Sequence, residues 1–348
     1  EREEQVMKRT NLAKKLTAMA MTGAMVMSMG MTAFAAGPLT VTEDKVTLTK
    51  EITKGEDVLY PNTTFSFAVS PFGTPNMAIE GETDPVVYGG VAGGASFVEG
   101  DDTITVTPES TDLTTEITLN SSVFTKPGVF RYVVTETAGD YDGMAYDTDY
   151  YYLDLYVVNG EEGYDFDAVV ASQVTEEDVV SSEKSDLTFT NVYTTNDLTV
   201  TKIITGNQAN MNEKFSFEIT VNGATGEKYD TSVEDIVLES GKAATVELGN
   251  NESIIIYGLS AKDTFTVVEK DANTDGYTTT YTLDDADVQA DGLVDVAEGT
   301  ADKVVEVTND KTVTTPTGIA MTFAPYIVMV AFAGVFAVMF LRKKREDF

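Results

Sequence analysis

The 348-residue chain contains no Cys, no His and no Trp, and it carries 57 Asp+Glu against 23 Lys+Arg, a formal net charge of −34. That inventory excludes triads built on His or Cys, thiol chemistry, His/Cys zinc centres and any disulfide framework. So acidic a surface also repels nucleic acid and anionic membranes, whereas 16 Tyr, 17 Phe and regular apolar alternation set the chain apart from acidic disordered sequences.

In chain order, residues 1–36 read as a secretory signal peptide whose start is Met7. Lys8, Arg9, Lys14 and Lys15 supply a basic region, Leu16 to Met31 an apolar stretch, and Ala33-Phe34-Ala35 a small-x-small cleavage pattern. The alternative is a retained membrane helix, which the well-formed cleavage pattern disfavours.

Residues 37–312 show short alternating runs separated by Gly, Asn and Asp turns, among them Val46-Thr-Leu48, Phe65-Ser-Phe67, Thr103-Ile-Thr-Val106, Phe130-Arg-Tyr132 and Thr264-Phe-Thr-Val267. Period-two alternation at this spacing predicts an all-β chain of two tandem Ig-like β-sandwich domains, over 37–194 and 195–312. The Gly-rich stretch Tyr88–Gly94 reads as a mobile loop. Asp271-Ala-Asn273-Thr-Asp275-Gly276 copies the start of an EF-hand loop, but its twelfth position is Thr282 rather than Glu. An Asx-rich turn is therefore expected there, with no metal site. No motif calls for a cofactor.

Polar residues that interrupt apolar strand faces form a repeat. Side chains alternate along a strand, so Val46, Leu48, Lys50 and Ile52 share one face, as do Tyr132, Val134 and Glu136, and then Leu187, Phe189, Asn191 and Tyr193. The second copy keeps the order: Leu198, Val200, Lys202 and Ile204; Phe265, Val267 and Glu269; Val305, Val307 and Asn309. The tripeptide Phe-Ser-Phe follows each lysine, at 65–67 and 215–217. Burial drives a lysine toward the neutral amine and a glutamate toward the neutral acid. An amine beside a carboxamide is a nucleophile facing an electrophile, and a protonated Glu is placed to polarise the amide oxygen and shuttle protons to departing ammonia. The competing account is three ordinary strand-edge polar residues, or an ion pair with an amide neighbour; two copies in one order weigh against it.

At the C-terminal end, 313–348, Thr314-Thr315-Pro316-Thr317-Gly318 precedes the uncharged stretch Ile319–Leu341 and the basic tail Arg342-Lys343-Lys344-Arg345. As a helix the apolar stretch spans about 35 Å, enough to cross a bilayer with the tail on the cytoplasmic side. The three pieces together resemble a sortase cell-wall sorting signal, with cleavage implied between Thr317 and Gly318, although the usual Leu-Pro opening is absent. The alternative is a plain single-span membrane protein.

Over essentially its whole mature length the chain resembles the Gram-positive major pilins that bear intramolecular isopeptide bonds. Its Leu187-Thr-Phe-Thr-Asn191 and Val305-Glu-Val-Thr-Asn309 match the closing strands of that family, and Tyr132-Val-Val-Thr-Glu136 and Phe265-Thr-Val-Val-Glu269 match its Glu-bearing strands. The resemblance implies a Lys50–Asn191 bond with Glu136 catalytic and a Lys202–Asn309 bond with Glu269 catalytic. It also implies that Thr317 is joined to a lysine of the next subunit. Lys184, seven residues before Asn191, fits the placement of that linking lysine, and Lys54 is the second choice; the family's Tyr-Pro-Lys signature is broken here, because Asn62 follows Tyr60-Pro61. The implied partners are copies of the chain itself and a pilin-type sortase, with minor pilins and host surface ligands as further candidates. The membrane matters only before sorting, and the implied location is the cell wall or a surface fibre. The implied role is structural, each Glu acting once rather than turning over; the alternative is a monomeric wall-anchored adhesin or minor pilin with the same internal bonds.

Overall fold

The computed structural model describes residues 37–313, apart from 162, 176, 182, 285 and 289–300. The described residues are all-β: besides one 3₁₀ turn at Ser121–Val123, every element is a strand. The signal peptide, the sorting motif Thr314–Gly318 and the apolar stretch after it lie outside the described residues.

Alternation in the sequence becomes alternation in burial. In the opening strand Lys45–Thr53, Val46, Leu48, Lys50 and Ile52 are buried while Thr47, Glu51 and Thr53 are exposed. One sheet has five strands in the order Ala95–Phe97, Thr114–Leu119, Lys45–Thr53, Thr188–Tyr193 and Met144–Ala145. The other runs Gly163–Val174, Tyr150–Gly160, Gly128–Thr137, Thr63–Pro71 and Thr103–Val106, with Ala78–Thr83 and Val86–Gly89 attached off this path. Leu48, Phe65, Phe67, Ile117, Phe130, Tyr132, Leu153 and Phe189 fill the core of these sheets.

The opening strand pairs in parallel with the closing strand Thr188–Tyr193, which places Ile52 opposite Asn191. Parallel neighbours cannot be joined by a tight turn, so everything between them in sequence builds the rest of the sandwich.

The next strand begins at Asn196, after only Thr194 and Thr195. Its sheet is ordered Ser253–Leu259, Asn196–Thr205, Lys303–Asp310, Thr278–Leu283 and Ala286–Val288, facing a three-stranded sheet of Ala244–Gly249, Lys214–Asn222 and Thr264–Glu269. Again the opening strand Asn196–Thr205 and closing strand Lys303–Asp310 are parallel, with Ile204 opposite Asn309. A separate core forms from Leu198, Val200, Phe217, Ile219, Tyr229, Ile256, Phe265, Val267 and Val305.

The two halves meet at a buried polar junction. Tyr141 and Tyr193, from the first half, both donate to Glu227 Oε1, at 3.0 and 2.9 Å. Glu227 Oε2 receives Tyr229 at 2.9 Å and the Ala224 N–H at 2.8 Å. The Tyr229 hydroxyl also lies 3.0 Å from Asp263 Oδ2, and Asp263 in turn accepts the Ser260 N–H and hydroxyl at 2.9 and 2.8 Å. At the rim Asp142 pairs with Lys262, Glu109 pairs with Lys228, and Asn62 donates to the Thr225 carbonyl.

The Gly-rich stretch is a packed segment, not the mobile loop expected of it. Tyr132 anchors it by accepting from Val91 N–H at 3.0 Å and donating to the Val91 carbonyl at 2.7 Å. A Cβ on Gly94 would come within 2.1 Å of the Tyr132 hydroxyl, and one on Gly90 within 2.6 Å of the Arg131 carbonyl. These glycines permit close approach of backbone to core rather than freedom of motion. At Asp271–Gly276 the chain makes a turn as expected, with Asp271, Asn273 and Asp275 at positive φ and Asn273 exchanging two hydrogen bonds with Thr279.

Candidate functional site

Each core contains a Lys–Glu–Asn cluster assembled from three strands. In the first, Lys50 projects from the opening strand, Asn191 from its parallel neighbour, and Glu136 from the facing sheet. Lys50 Nζ donates to Glu136 Oε2 at 2.8 Å and Asn191 Nδ2 donates to Glu136 Oε1 at 2.7 Å. Neither side chain of the Lys50–Glu136 pair has exposed surface. The second cluster repeats this: Lys202 Nζ to Glu269 Oε2 at 2.8 Å, Asn309 Nδ2 to Glu269 Oε1 at 2.6 Å. All six residues expected from the sequence are thus brought together in two threes.

Register explains why the spacing repeats. In both halves the Asn stands opposite the residue two places after the Lys, on the same face of the same parallel pair. In both, the Glu stands opposite the second Phe of the Phe-Ser-Phe tripeptide, Phe67 with Glu136 and Phe217 with Glu269. The tripeptide also supplies the floor. Lys50 Nζ lies 5.0 Å from the Phe65 ring centre, and Lys202 Nζ lies 4.5 Å from that of Phe215. The repeated Phe-Ser-Phe was visible in sequence, but not that its rings sit under the ammonium groups.

Burial dominates the electrostatics. It lowers the pKa of Lys50 and of Lys202, opposed by their hydrogen bonds to Glu136 and Glu269, and it raises the pKa of Glu136, opposed by Lys50. Proton transfer from ammonium to carboxylate is therefore brought within reach in the first site, giving a neutral amine and a neutral acid.

One orientation differs from expectation. The carboxylates face the amide nitrogens of Asn191 and Asn309, not the amide oxygens. Asn191 Oδ1 instead accepts the Asp147 backbone N–H at 2.7 Å. Asp147 was not singled out from the sequence; it sits in the chain between Met144–Ala145 and Tyr150–Gly160, and no periodicity marks it.

Lys184 is exposed, in the connection between Gly163–Val174 and Thr188–Tyr193. Lys54 is half-buried, its ammonium donating to the Val58 carbonyl at 2.6 Å and lying 5.0 Å from the Tyr60 ring centre. Thr314, Thr315, Pro316, Thr317 and Gly318 fall outside the described residues.

Residues 46–194 match the Spy0128-like isopeptide containing domain, and residues 196–311 match a domain of unknown function, DUF7601. A curated protein named "Pilin" from Streptococcus pyogenes serotype M1 is 28% identical over 356 residues, covering 95% of this chain and 99% of that protein. The structure of the major pilin protein T3.2 from Streptococcus pyogenes is similar at 26% identity and a TM-score of 0.55, covering 77% of this chain and 98% of that one. A crystal structure of the major pilin from Streptococcus pyogenes shares the fold, with a TM-score of 0.54 at 24% identity over 78% of this chain and all of that one. Over nearly its whole length the chain is thus similar to a streptococcal pilin, and its residues 46–194 match the Spy0128-like isopeptide containing domain.

Proposed function

We propose that the chain is the shaft subunit of a covalently polymerised surface fibre, with one self-formed Lys–Asn bond in each of two domains, 37–194 and 195–312. The observation that carries this reading is the duplicated buried Lys–Glu–Asn cluster, which ties first strand to last strand in both halves.

In the bond-forming step, Glu136 takes a proton from the Lys50 ammonium. The free amine attacks Asn191 Cγ, the Nζ–Cγ bond forms, and the Cγ–Nδ2 bond breaks. Of the five hydrogens on the two nitrogens, three leave with ammonia, one stays on the new amide and one remains on Glu136 as the neutral acid. Glu136, touching both nitrogens, is placed to move each proton. Glu269 does the same for Lys202 and Asn309. Holding the partners in a rigid core supplies an effective molarity that reaches about 10⁵ M or more in well-oriented systems. The amide product carries no charge and cannot be reduced, which suits a Cys-free protein outside the cell.

Assembly would follow export. A pilin-type sortase takes Thr317 of the Thr314–Gly318 motif as a thioester and passes it to Lys184 of the next copy, whose exposure supports its choice over the engaged Lys54. The test is an immunoblot of cell-wall digests, boiled in detergent, from cells carrying the native protein or Lys184→Ala. A high-mass ladder that collapses in the variant is expected. A ladder in both discards Lys184 but keeps the shaft, and a single monomer-sized band in native cells replaces it with a monomeric wall-anchored adhesin or minor pilin.

A further inference from the structure

The two clusters are alike in lysine, glutamate and amide nitrogen, and unlike at the amide oxygen. Asn191 Oδ1 receives the Asp147 N–H at 2.7 Å. Asn309 Oδ1 is equally buried and has no hydrogen-bond partner among the described residues. We infer, resting on the isopeptide reading above, that the backbone N–H of Asp147 is a catalytic group for the Lys50–Asn191 bond, the donor that holds the negative charge forming on Asn191 Oδ1.

Three features support this assignment. A backbone N–H only donates, so it fixes the Asn191 amide with oxygen toward Asp147 and nitrogen toward Glu136. The loop is held in place by its own side chain: Asp147 Oδ2 accepts the N–H of Thr190, the neighbour of Asn191, at 2.8 Å, and Asp147 Oδ1 accepts the Asp149 N–H at 3.0 Å. The site is dry, Asn191 and the Lys50–Glu136 side chains having no exposed surface, and there a fixed dipole is worth far more than in water.

The chemistry divides cleanly. When Lys50 Nζ adds to Asn191 Cγ, the carbonyl π electrons move onto Oδ1, and the Asp147 N–H already points at that atom. Glu136 moves protons between the two nitrogens and is not required at the oxygen. Among the described residues the second site has the proton shuttle without an oxyanion donor, so the first bond has an assistance that they do not give the second.

The test uses the full-length chain synthesised cell-free in detergent, sampled over time and digested, with the cross-linked peptides of each site quantified. Replacing Asp147 by its α-hydroxy acid turns the Tyr146–Asp147 amide into an ester and deletes that N–H alone. The first bond is expected to form about 100-fold more slowly, the usual cost of losing one oxyanion donor, with the Lys202–Asn309 bond unchanged as internal control. An unchanged first-bond rate in the ester chain overturns the proposal. If the ester lowers the melting temperature in a Lys50→Ala background, where no first bond forms, Asp147→Ala and Asp147→Asn carry the test. Ala should slow the first bond, and Asn, which keeps an oxygen for Thr190 N–H, should restore it; equal rates in the two overturn the proposal. Absence of any Lys50–Asn191 peptide from the unaltered chain would instead remove the isopeptide reading itself.

Discussion

Lys202 sits in a hydrocarbon core with Glu269 and Asn309 as its polar company, and with the rings of Phe215 and Phe217 4.5 and 5.8 Å from its ammonium. A buried ion pair is poor evidence of stabilisation, because desolvation cancels much of the attraction. Converting it to an amide removes that cost, which gives a residue-scale reason for a charge to sit there at all. Glu269→Ala should leave the mass one ammonia, about 17 Da, higher than a fully bonded chain once the substitution is allowed for. It should also destabilise the second domain by about 3–5 kcal/mol or more, since the variant loses the cross-link and keeps an unpaired buried ammonium in its place. Intact mass and a melting curve check both, and a variant that still loses the second ammonia would show that Glu269 is dispensable. Three-residue sets were legible in sequence because strands alternate and each polar residue broke an apolar face. Asp147 was not, because its contribution is a backbone N–H, which every residue type but proline carries.

At the scale of elements, the telling feature is that opening and closing strands lie side by side and parallel in each half. Tension entering at the start of one and leaving at the end of the other crosses the Lys–Asn pair directly. With the bond formed, the chain between Lys50 and Asn191 stays out of the load path. Single-molecule pulling on the native chain should therefore give no extension from that segment. Glu136→Ala should release an extra contour length of about 500 Å, at ~3.5 Å for each residue between the two positions. Equal unfolding lengths for native and variant would exclude a cross-link there. By the chain-entropy model, a bond closing a loop of this size stabilises by about 4–5 kcal/mol, as a disulfide would.

At the scale of the molecule, two domains joined by Thr194 and Thr195 would swing freely were it not for the tyrosine–carboxyl junction between them. One hydroxyl proton on Tyr229 cannot serve both Glu227 Oε2 and Asp263 Oδ2, so the cluster is best satisfied with a proton on one carboxyl group. Burial, helped by the charge of Glu227, pushes Asp263 up to about 6. Because the folded value lies above the ordinary 3.8, this stabilisation is complete below about pH 4 and is lost as pH rises through about 6. Calorimetry should show the junction gaining on the order of 2–3 kcal/mol between pH 7 and pH 4. Asp263→Asn should lose that increment while keeping the general acid response that comes from relieving a net charge of −34. An identical pH response in the two proteins would place the titration elsewhere.

Composition and alternation sufficed for the all-β class, the two copies and the six polar residues of the clusters, because a period of two reports directly which side chains face inward. The Phe-Ser-Phe repeat was visible in the same way. Other features depend on which segments pack together, and no local pattern encodes that. The stretch Tyr88–Gly94 has a loop's composition, yet its missing side chains let it lie against Tyr132. Glu227, Asp263 and Tyr229 look like ordinary surface polar residues until two tyrosines from the other half close over them. The carboxylates were expected at the amide oxygens, but the folded chain turns Asn191 so that a loop N–H takes the oxygen and Glu136 takes the nitrogen. A strand's face follows from its own residues, whereas the direction of a hydrogen bond at its tip depends on what the rest of the fold places there.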